Sequence, residues 1–290
     1  MIDPSELLTR FWGLDAPRVR PLDGGMNSST WLVEHRGAVY VAKLVPASGV
    51  ADLAAGADVA TMLAAAGFLT GRPVPALDGR IVVTEHALAL LEHVPGRELV
   101  GDTDAEQEWI AEVLAGVHVA SEPGVGPRTA TFAQDWLSPA APGVESHPWL
   151  LAAIEAARAA TDSLRLMWSV LHTDPAPEAF VHDDETQVTG LIDWAGARRG
   201  PVLYDVASAV MYLGGPHEAA TFLRAYQATG PLDPTEMQHL DAFRLFREAV
   251  QGVYFATRLA SDDLTGDVEV ADNEKGLADA RRRLEALGAA

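Results

Sequence analysis

Cysteine is absent from the 290-residue chain, which excludes disulfides, thiolate nucleophiles and zinc held by sulfur. Lysine is nearly absent. The two that occur, Lys43 and Lys275, follow Ala42 and Glu274, so no Gly-Lys-Ser/Thr phosphate loop can be written. G-x-S-x-G, G-x-G-x-x-G and H-E-x-x-H are also missing, which removes the nucleophile elbow, the dinucleotide fingerprint and the zinc helix. No apolar run reaches ~18 residues without charges or breakers, so no membrane-spanning helix is expected. The opening "MIDPSELLTRFWGL" has no basic segment followed by an apolar core, so a signal peptide is not expected and a cytoplasmic location is. Basic residues are scarce, 21 against 41 acidic, for a formal net charge of −20. That field repels nucleic acid and anionic membrane and favours a cationic small molecule, although a plain solubility surface has the same composition.

What is present changes texture along the chain. Up to about residue 90, short apolar runs, "RVRPL", "TWLVEH", "AVYVAKLV" and "RIVVTEHALALLEHV", alternate with Gly, Pro, Asp and Asn clusters, the pattern of a meander. Between them, "GVADLAAGADVATMLAAAG" carries Leu53, Val59, Met62 and Leu63 at helical spacing and stops at Gly67. "EHVPGREL" reads as a linker. Helical patterns follow, beginning with the capped "TDAEQEWIAEVLAGVHVA". Strands first and helices afterwards predict an α+β chain of two lobes: residues 1–92, a hinge over 93–98, and residues 99–290.

Lys43 lies in "AVYVAKLV" among apolar neighbours. A lysine there either snorkels out at the strand end or meets an anion, because an unpaired buried ammonium is costly. One hairpin earlier, "LDGGMNSSTWLV" offers Gly24, Gly25, Asn27, Ser28 and Ser29 between two strand runs. Alone it is a hairpin turn; beside Lys43 it can aim backbone N–H groups and hydroxyls at phosphate oxygens.

"LHTDPAPEAFVHDDETQVTGLIDW" interrupts the helices. "AFV" and "VTGLIDW" read as a hairpin closed by "HDDETQ". Its pairing is expected to bring Asp174 and Asp193 to one end. Two converging carboxylates suit two jobs in phosphoryl transfer: one deprotonates the attacking hydroxyl, the other holds magnesium on the phosphates. At the tip, His182, Asp183, Asp184 and Glu185 form a solvated turn.

With these residues in view, the chain resembles the aminoglycoside phosphotransferase and choline kinase family, relatives of the protein kinases. The family motifs H-G-D-x-x-x-x-N, I-D-W or I-D-F, and Y-D are matched in order by "HTDPAPEAF", "LIDW" and "LYDVA", with "VAKL", "LLEHVPGREL" and "LAGVH" in support. The resemblance implies a two-lobed protein-kinase-like fold: an N-terminal antiparallel five-stranded sheet with one helix, then a mainly helical C-terminal lobe. It implies that Asp174 is the catalytic base, that Asp193 binds Mg2+, and that Lys43 contacts the α/β phosphates of ATP or GTP. His172 and Asp205 would brace the catalytic loop. Leu91, Glu92 and Val94 would line the adenine hinge through backbone atoms, and Ser28 and Ser29 would touch phosphates.

Three departures stand out. The loop asparagine falls on Ala179; Glu178 offers a carboxylate one residue earlier. The glycine of H-G-D is Thr173. The sheet-lobe helix has no glutamate for Lys43, and Asp58 is its nearest acid. Two readings follow. The first is a Mg2+- and nucleoside-triphosphate-dependent kinase for a hydroxyl on a small molecule. An amine-bearing acceptor, such as an aminoglycoside, another antibiotic or an amino sugar, would draw on "ASDDLTGDVEVADNE". The alternative is a degenerate pseudokinase that binds ligand without transfer. A metal-dependent hydrolase would leave Lys43 and the Gly-rich turn idle.

Overall fold

Hydrophobic alternation near the N-terminus builds a sheet, and the helical periods beyond it build a bundle. The computed structural model describes residues 4–22, 25–132, 136–266 and 268–289. In chain order the elements begin with α1 (Ser5–Trp12), β1 (Arg18–Leu22), β2 (Ser29–His35), β3 (Ala38–Leu44), α2 (Val50–Ala65), β4 (Leu88–Glu92) and β5 (Arg97–Glu98). There follow α3 (Asp104–Ala120), β6 (Gly124–Arg128), α4 (Pro148–Thr161), β7 (Arg165–Leu171), β8 (Phe180–Asp183), β9 (Val188–Leu191) and β10 (Arg198–Pro201). The chain closes with α5 (Leu203–Tyr212), α6 (Ala220–Thr229), α7 (Leu240–Ala260) and α8 (Val270–Ala286). Two compact units result: Met1–Leu99 with Glu178–Ala197 and Thr265–Asp267, and Val100–Pro177 with Arg198–Leu264 and Val268–Ala290.

In the first unit β1-β2-β3-β4 form one antiparallel sheet. β2 and β3 join through Arg36 and Gly37, both at positive φ (50° and 84°), the turn geometry that matches strand twist. Trp31, Val33, Ala42, Leu88 and Leu90 pack against Leu8 and Trp12 of α1. Ala89 points to the opposite face and joins Val45, Val82 and the α2 residues Leu53 and Ala57, as a period of two requires. The resemblance implied five strands and one helix. The fifth strand is reduced to a bridge, Pro73 to Leu91, flanked by hydrogen bonds from Val74 N to Leu90 O (2.7 Å) and Glu92 N to Arg72 O (2.8 Å). Pro73 and Pro75 supply no N–H, so the ladder stops there. α1 is a second helix. The expected hairpin forms from β8 and β9, with β5 added beside β8.

In the second unit β10-β7-β6 make a small antiparallel sheet, and α7 packs against α4, α5 and α8. Thr103 caps α3, accepting from Glu106 N at 3.3 Å. The Glu106 carboxylate turns back to the Val100 and Gly101 amides at 3.0 and 2.8 Å, which fixes the entry to the helix. Tyr204, Phe132, Phe243 and Phe246 fill the core below α5 and α7. Gly200 admits the Phe132 ring, which would stand 2.3 Å from an added Cβ.

One buried acid predicts a pH effect. Glu248 of α7 forms an ion pair with Arg283 of α8, Oε1 to Nε 2.7 Å, while its Oε2 is buried with no hydrogen-bond partner. Burial raises the Glu248 pKa, and Arg283 offsets this only in part. Folding therefore takes up a proton here, and stability falls as the pH rises from the ordinary glutamate value through the folded one. In Glu248→Gln that part of the Tm-against-pH profile is expected to flatten, read by thermal unfolding of both proteins across the acidic range.

Candidate active site

Lys43 sits in β3 between Thr30 of β2 and Ala89 of β4. It is only 7% exposed, and its Nζ donates to Asp193 Oδ1. The buried ammonium thus meets an anion, as desolvation demands. Asp193 follows β9 in a left-handed backbone conformation, φ 69° and ψ 61°, with its side chain 53% exposed. The neighbouring helix approaches this turn through Gly56, where a Cβ would stand 2.2 Å from the Trp194 carbonyl oxygen. The buried face of α2, Leu53, Gly56, Ala57, Ala60 and Leu63, carries no acid. Asp58 lies on the exposed side, and no ion pair to Lys43 forms among the described residues. The expectation that Asp58 supports Lys43 is therefore corrected: the helical period turns it off the packed face, and Asp193 takes the lysine instead.

Glu178 falls at the base of the same hairpin. Ala179 O accepts from Ile192 N at 2.9 Å, one step beyond the Phe180–Leu191 pair. The next positions in line are Glu178 and Asp193, both exposed. No cluster of three or more metal-ligating side chains exists among the described residues. Magnesium commonly takes one or two carboxylates and completes its shell with water and phosphate oxygens, so this donor pair fits it. At the tip, Asp183 accepts from the Glu185 amide and the Thr186 hydroxyl, both at 2.9 Å, which holds its carboxyl below the ordinary aspartate range. His182 departs from the expected solvated turn. It is buried, its Nδ1 2.8 Å from Thr189 Oγ1.

The hinge candidates differ in what their backbones are doing. Leu90 and Glu92 face the Arg72–Val74 segment, so alternation turns the Leu91 peptide groups towards Val41, its partner in β3. Leu91 is thus committed to the ladder. Glu92 spends its amide on Arg72 O (2.8 Å) and its carboxylate on the Arg72 guanidinium. Val94, beyond the strand, makes no backbone hydrogen bond among the described residues, and neither does His93. β9 passes directly beneath Val94 at Gly190, where a Cβ would lie 2.8 Å from Val94 Cγ1. In the Gly-rich turn Ser28 is buried and Ser29 exposed; Gly24 falls outside the described residues. Gly266 stands against this turn so closely that a Cβ would meet Gly25 O at 2.2 Å.

In the second unit the loop after β7 is fastened by a buried carboxylate. Asp205 Oδ2 accepts from His172 N at 2.7 Å and Oδ1 from Thr173 N at 2.8 Å. His118 Nε2 reaches Oδ2 at 3.1 Å, and His118 Nδ1 meets Tyr226 Oη at 2.7 Å. These partners fix the tautomer: Nε2–H donates to the carboxylate and Nδ1 accepts from the phenol. Burial, with Asp205 adding to it, holds Tyr226 well above the ordinary tyrosine pKa. The bracing role given to Asp205 is carried by its bonds to backbone amides, with the His118 and Tyr226 side chains behind it. His172 is buried, and here it contributes its amide.

Thr173 has φ 76°, a conformation costly for a β-branched residue. Asp205 holds it there. Thr173→Gly is expected to stabilise the protein by about 1 kcal/mol, measured as a higher urea midpoint with unchanged m.

Asp174 is exposed, 61% by side chain. Its Oδ1 accepts from Arg247 Nη2 at 2.7 Å and from Tyr212 Oη. Arg247, on α7, also donates through Nε to Ser208 Oγ at 3.0 Å and is itself buried. Burial opposes its charge, yet Tyr204, Tyr212, Asp174 and Glu248 outweigh burial and keep its pKa above the ordinary value. Oδ2 of Asp174 makes no hydrogen bond among the described residues. Arg247 and Tyr212 escaped the sequence reading because "FRLFREAV" and "VMYL" look like ordinary amphipathic helix. Only the adjacency of Arg247 to apolar Phe246 hints at burial.

In the acidic segment near residue 265, three carboxylates have structural partners. Asp263 pairs with Arg258 at 3.4 Å, and Glu269 and Asp272 close the capping box of α8. Those carboxylates are spent on structure.

The sequence pattern of the phosphotransferase enzyme family matches residues 18–240. Among solved structures, the amicoumacin kinase hAmiN bound to AMP-PNP, Ca2+ and its ligand is similar with a TM-score of 0.75 at 15% identity, covering 98% of this chain and 94% of that one. The choline kinase LicA from Streptococcus pneumoniae is similar with a TM-score of 0.70 at 15% identity, over 97% of each chain. Spectinomycin phosphotransferase APH(9)-Ia, solved with ADP and spectinomycin, gives 0.68 at 13% identity, over 99% of this chain and 98% of that one. At these identities the likeness is one of fold: α+β, protein-kinase-like. No curated protein matches by sequence.

Proposed function

The chain belongs to the phosphotransferase enzyme family and is a small-molecule kinase, and from that premise we propose that it moves the γ-phosphoryl group of ATP or GTP, with Mg2+, onto a hydroxyl of a small molecule. The observation that carries this reading is the buried Lys43–Asp193 ion pair. A lysine enclosed in a sheet and bound to an exposed carboxylate at a left-handed turn is poised to exchange that partner for phosphate oxygens.

In this reading Lys43 donates to the α/β phosphates and Ser29 meets them at the Gly-rich turn. The uncommitted peptide groups of His93 and Val94 take the adenine or guanine edge, above the floor that Gly190 opens. Asp193 and Glu178 would hold Mg2+, which when bound neutralises phosphate charge. Asp174 accepts the acceptor's hydroxyl proton on Oδ2 while Arg247 and Tyr212 hold Oδ1 in place. The new bond is from the acceptor oxygen to phosphorus; the bond broken is from phosphorus to the β–γ bridging oxygen, and the nucleoside diphosphate leaves with that electron pair. Catalysis is then chiefly positioning and electrostatics.

The test is incubation with Mg-ATP and a panel of small hydroxyl compounds, following diphosphate release and phosphate-ester formation by phosphorus NMR. Ester that forms only with an acceptor present supports transfer. Phosphate release that ignores the acceptor would point to hydrolysis instead.

A further inference from the structure

We propose that the acceptor is held by a carboxylate of its own, bound at Arg198, so that the substrate class is hydroxy acids and hydroxy-amino acids rather than simple amines. This rests on the transfer reading above and names the substrate for it.

β10 pairs with β7, setting Arg198 opposite Leu171 and Arg199 opposite Val170. Successive side chains leave a strand on opposite faces. Arg199 is satisfied on one face, donating to the Ser121 and Glu122 carbonyls at 3.4 and 3.0 Å. Arg198 leaves on the other, where its guanidinium carbon stacks 3.9 Å over the Trp136 ring. There it makes no ion pair or hydrogen bond among the described residues, and its Nε is buried without a partner. In a chain with 41 acids and 21 basic residues, a half-buried arginine that meets no carboxylate among the described residues is unexpected. A buried donor with no acceptor costs free energy until something supplies one.

Its surroundings connect it to Asp174. Trp136 lies 5.6 Å from the Tyr204 ring. Tyr204 lies 6.0 Å from the Arg247 guanidinium carbon, and Arg247 holds Asp174 at 2.7 Å. One aromatic pair therefore separates the two arginines, all within the second unit. Arg247 offsets the charge of Asp174, so an approaching carboxylate is not repelled from the base. A guanidinium flat against an indole presents its edge N–H groups to a carboxylate in the two-pronged geometry that arginine favours. Meanwhile three acids of the segment expected to attract an amine, Asp263, Glu269 and Asp272, are already engaged.

The experiment measures Mg-ATP-dependent phosphorylation of glycolate, serine, hydroxybutyrate and hydroxyhexanoate, each beside its primary amide, with ethanolamine and choline as the cationic set. Carboxylates are expected to exceed their amides. Arg198→Gln is expected to lower kcat/KM for the preferred carboxylate about 10–100-fold, mostly through KM, the loss of a charged hydrogen bond, with a clearly smaller loss on the neutral amide. Nucleotide-induced thermal stabilisation retained in the variant confirms its fold. Turnover of the amines but none of the carboxylates overturns the proposal, as does an equal loss on carboxylate and amide. If no compound is phosphorylated, the transfer reading fails separately, and binding decides the anion site. A carboxylate-dependent rise in Tm that Arg198→Gln removes sustains it, and no rise removes it.

Discussion

Asp174→Asn is expected to lower acceptor phosphorylation by roughly 10²–10⁴-fold, the range spanned by a positioned general base. The change is close to isosteric. An asparagine carbonyl can still accept from Arg247 and Tyr212 as Oδ1 does now, so the loop keeps its place while the proton acceptor is lost. The loss should fall in kcat, with KM for nucleotide near the wild-type value, because Lys43 and Asp193 are untouched. Steady-state kinetics on any accepted hydroxyl compound checks this. A variant that keeps wild-type kcat removes Asp174 from the chemistry.

Asp205→Ala carries the largest expected loss of stability, about 3–5 kcal/mol, the range for removing one partner of a buried charged network. Its carboxylate is fully buried and takes three donors: the His172 amide, the Thr173 amide and His118 Nε2. Alanine leaves all three without an acceptor in a place water does not reach. It also releases Thr173 from its positive φ, so the catalytic loop loses definition along with stability. Asp205→Asn keeps one accepting oxygen and should cost less. Tyr226→Phe removes only the outer bond to His118 and is expected to cost about 1 kcal/mol. Urea unfolding of the three variants should give that order, alanine worst and phenylalanine mildest.

Much of this arrangement is legible in the amino-acid sequence because it is local. The alternation in "TWLVEH" and "AVYVAKLV" becomes β2 and β3, and the run from Val50 to Ala65 becomes α2. Lys43 stands out because its neighbours are apolar, and its need for an anion is met by Asp193. Other parts depend on contacts between distant stretches and have no local signature. Gly56 looks like a weak point in a helix; it is the position where the Trp194 backbone comes closest. Asp58 looks like the lysine's partner only while the helix phase is unknown. Arg247 and Arg198 read as surface charge, since nothing near them in sequence reveals that one is buried against Asp174 and the other laid on Trp136. The fifth strand fails for a reason that the sequence does contain, Pro73 and Pro75, but which matters only once the sheet edge is known.

The measurement that bears most directly on this account is thermal unfolding with saturating ATP, with and without Mg2+, for wild type, Asp193→Asn and Asp174→Asn. Ligand at about 100 times its Kd adds ~2.7 kcal/mol of stability, a shift readily seen. Wild type is expected to show a magnesium-dependent rise in Tm that is lost in Asp193→Asn and fully retained in Asp174→Asn. A rise that survives in Asp193→Asn, or one that disappears in Asp174→Asn, would contradict the division of labour assigned to the two aspartates.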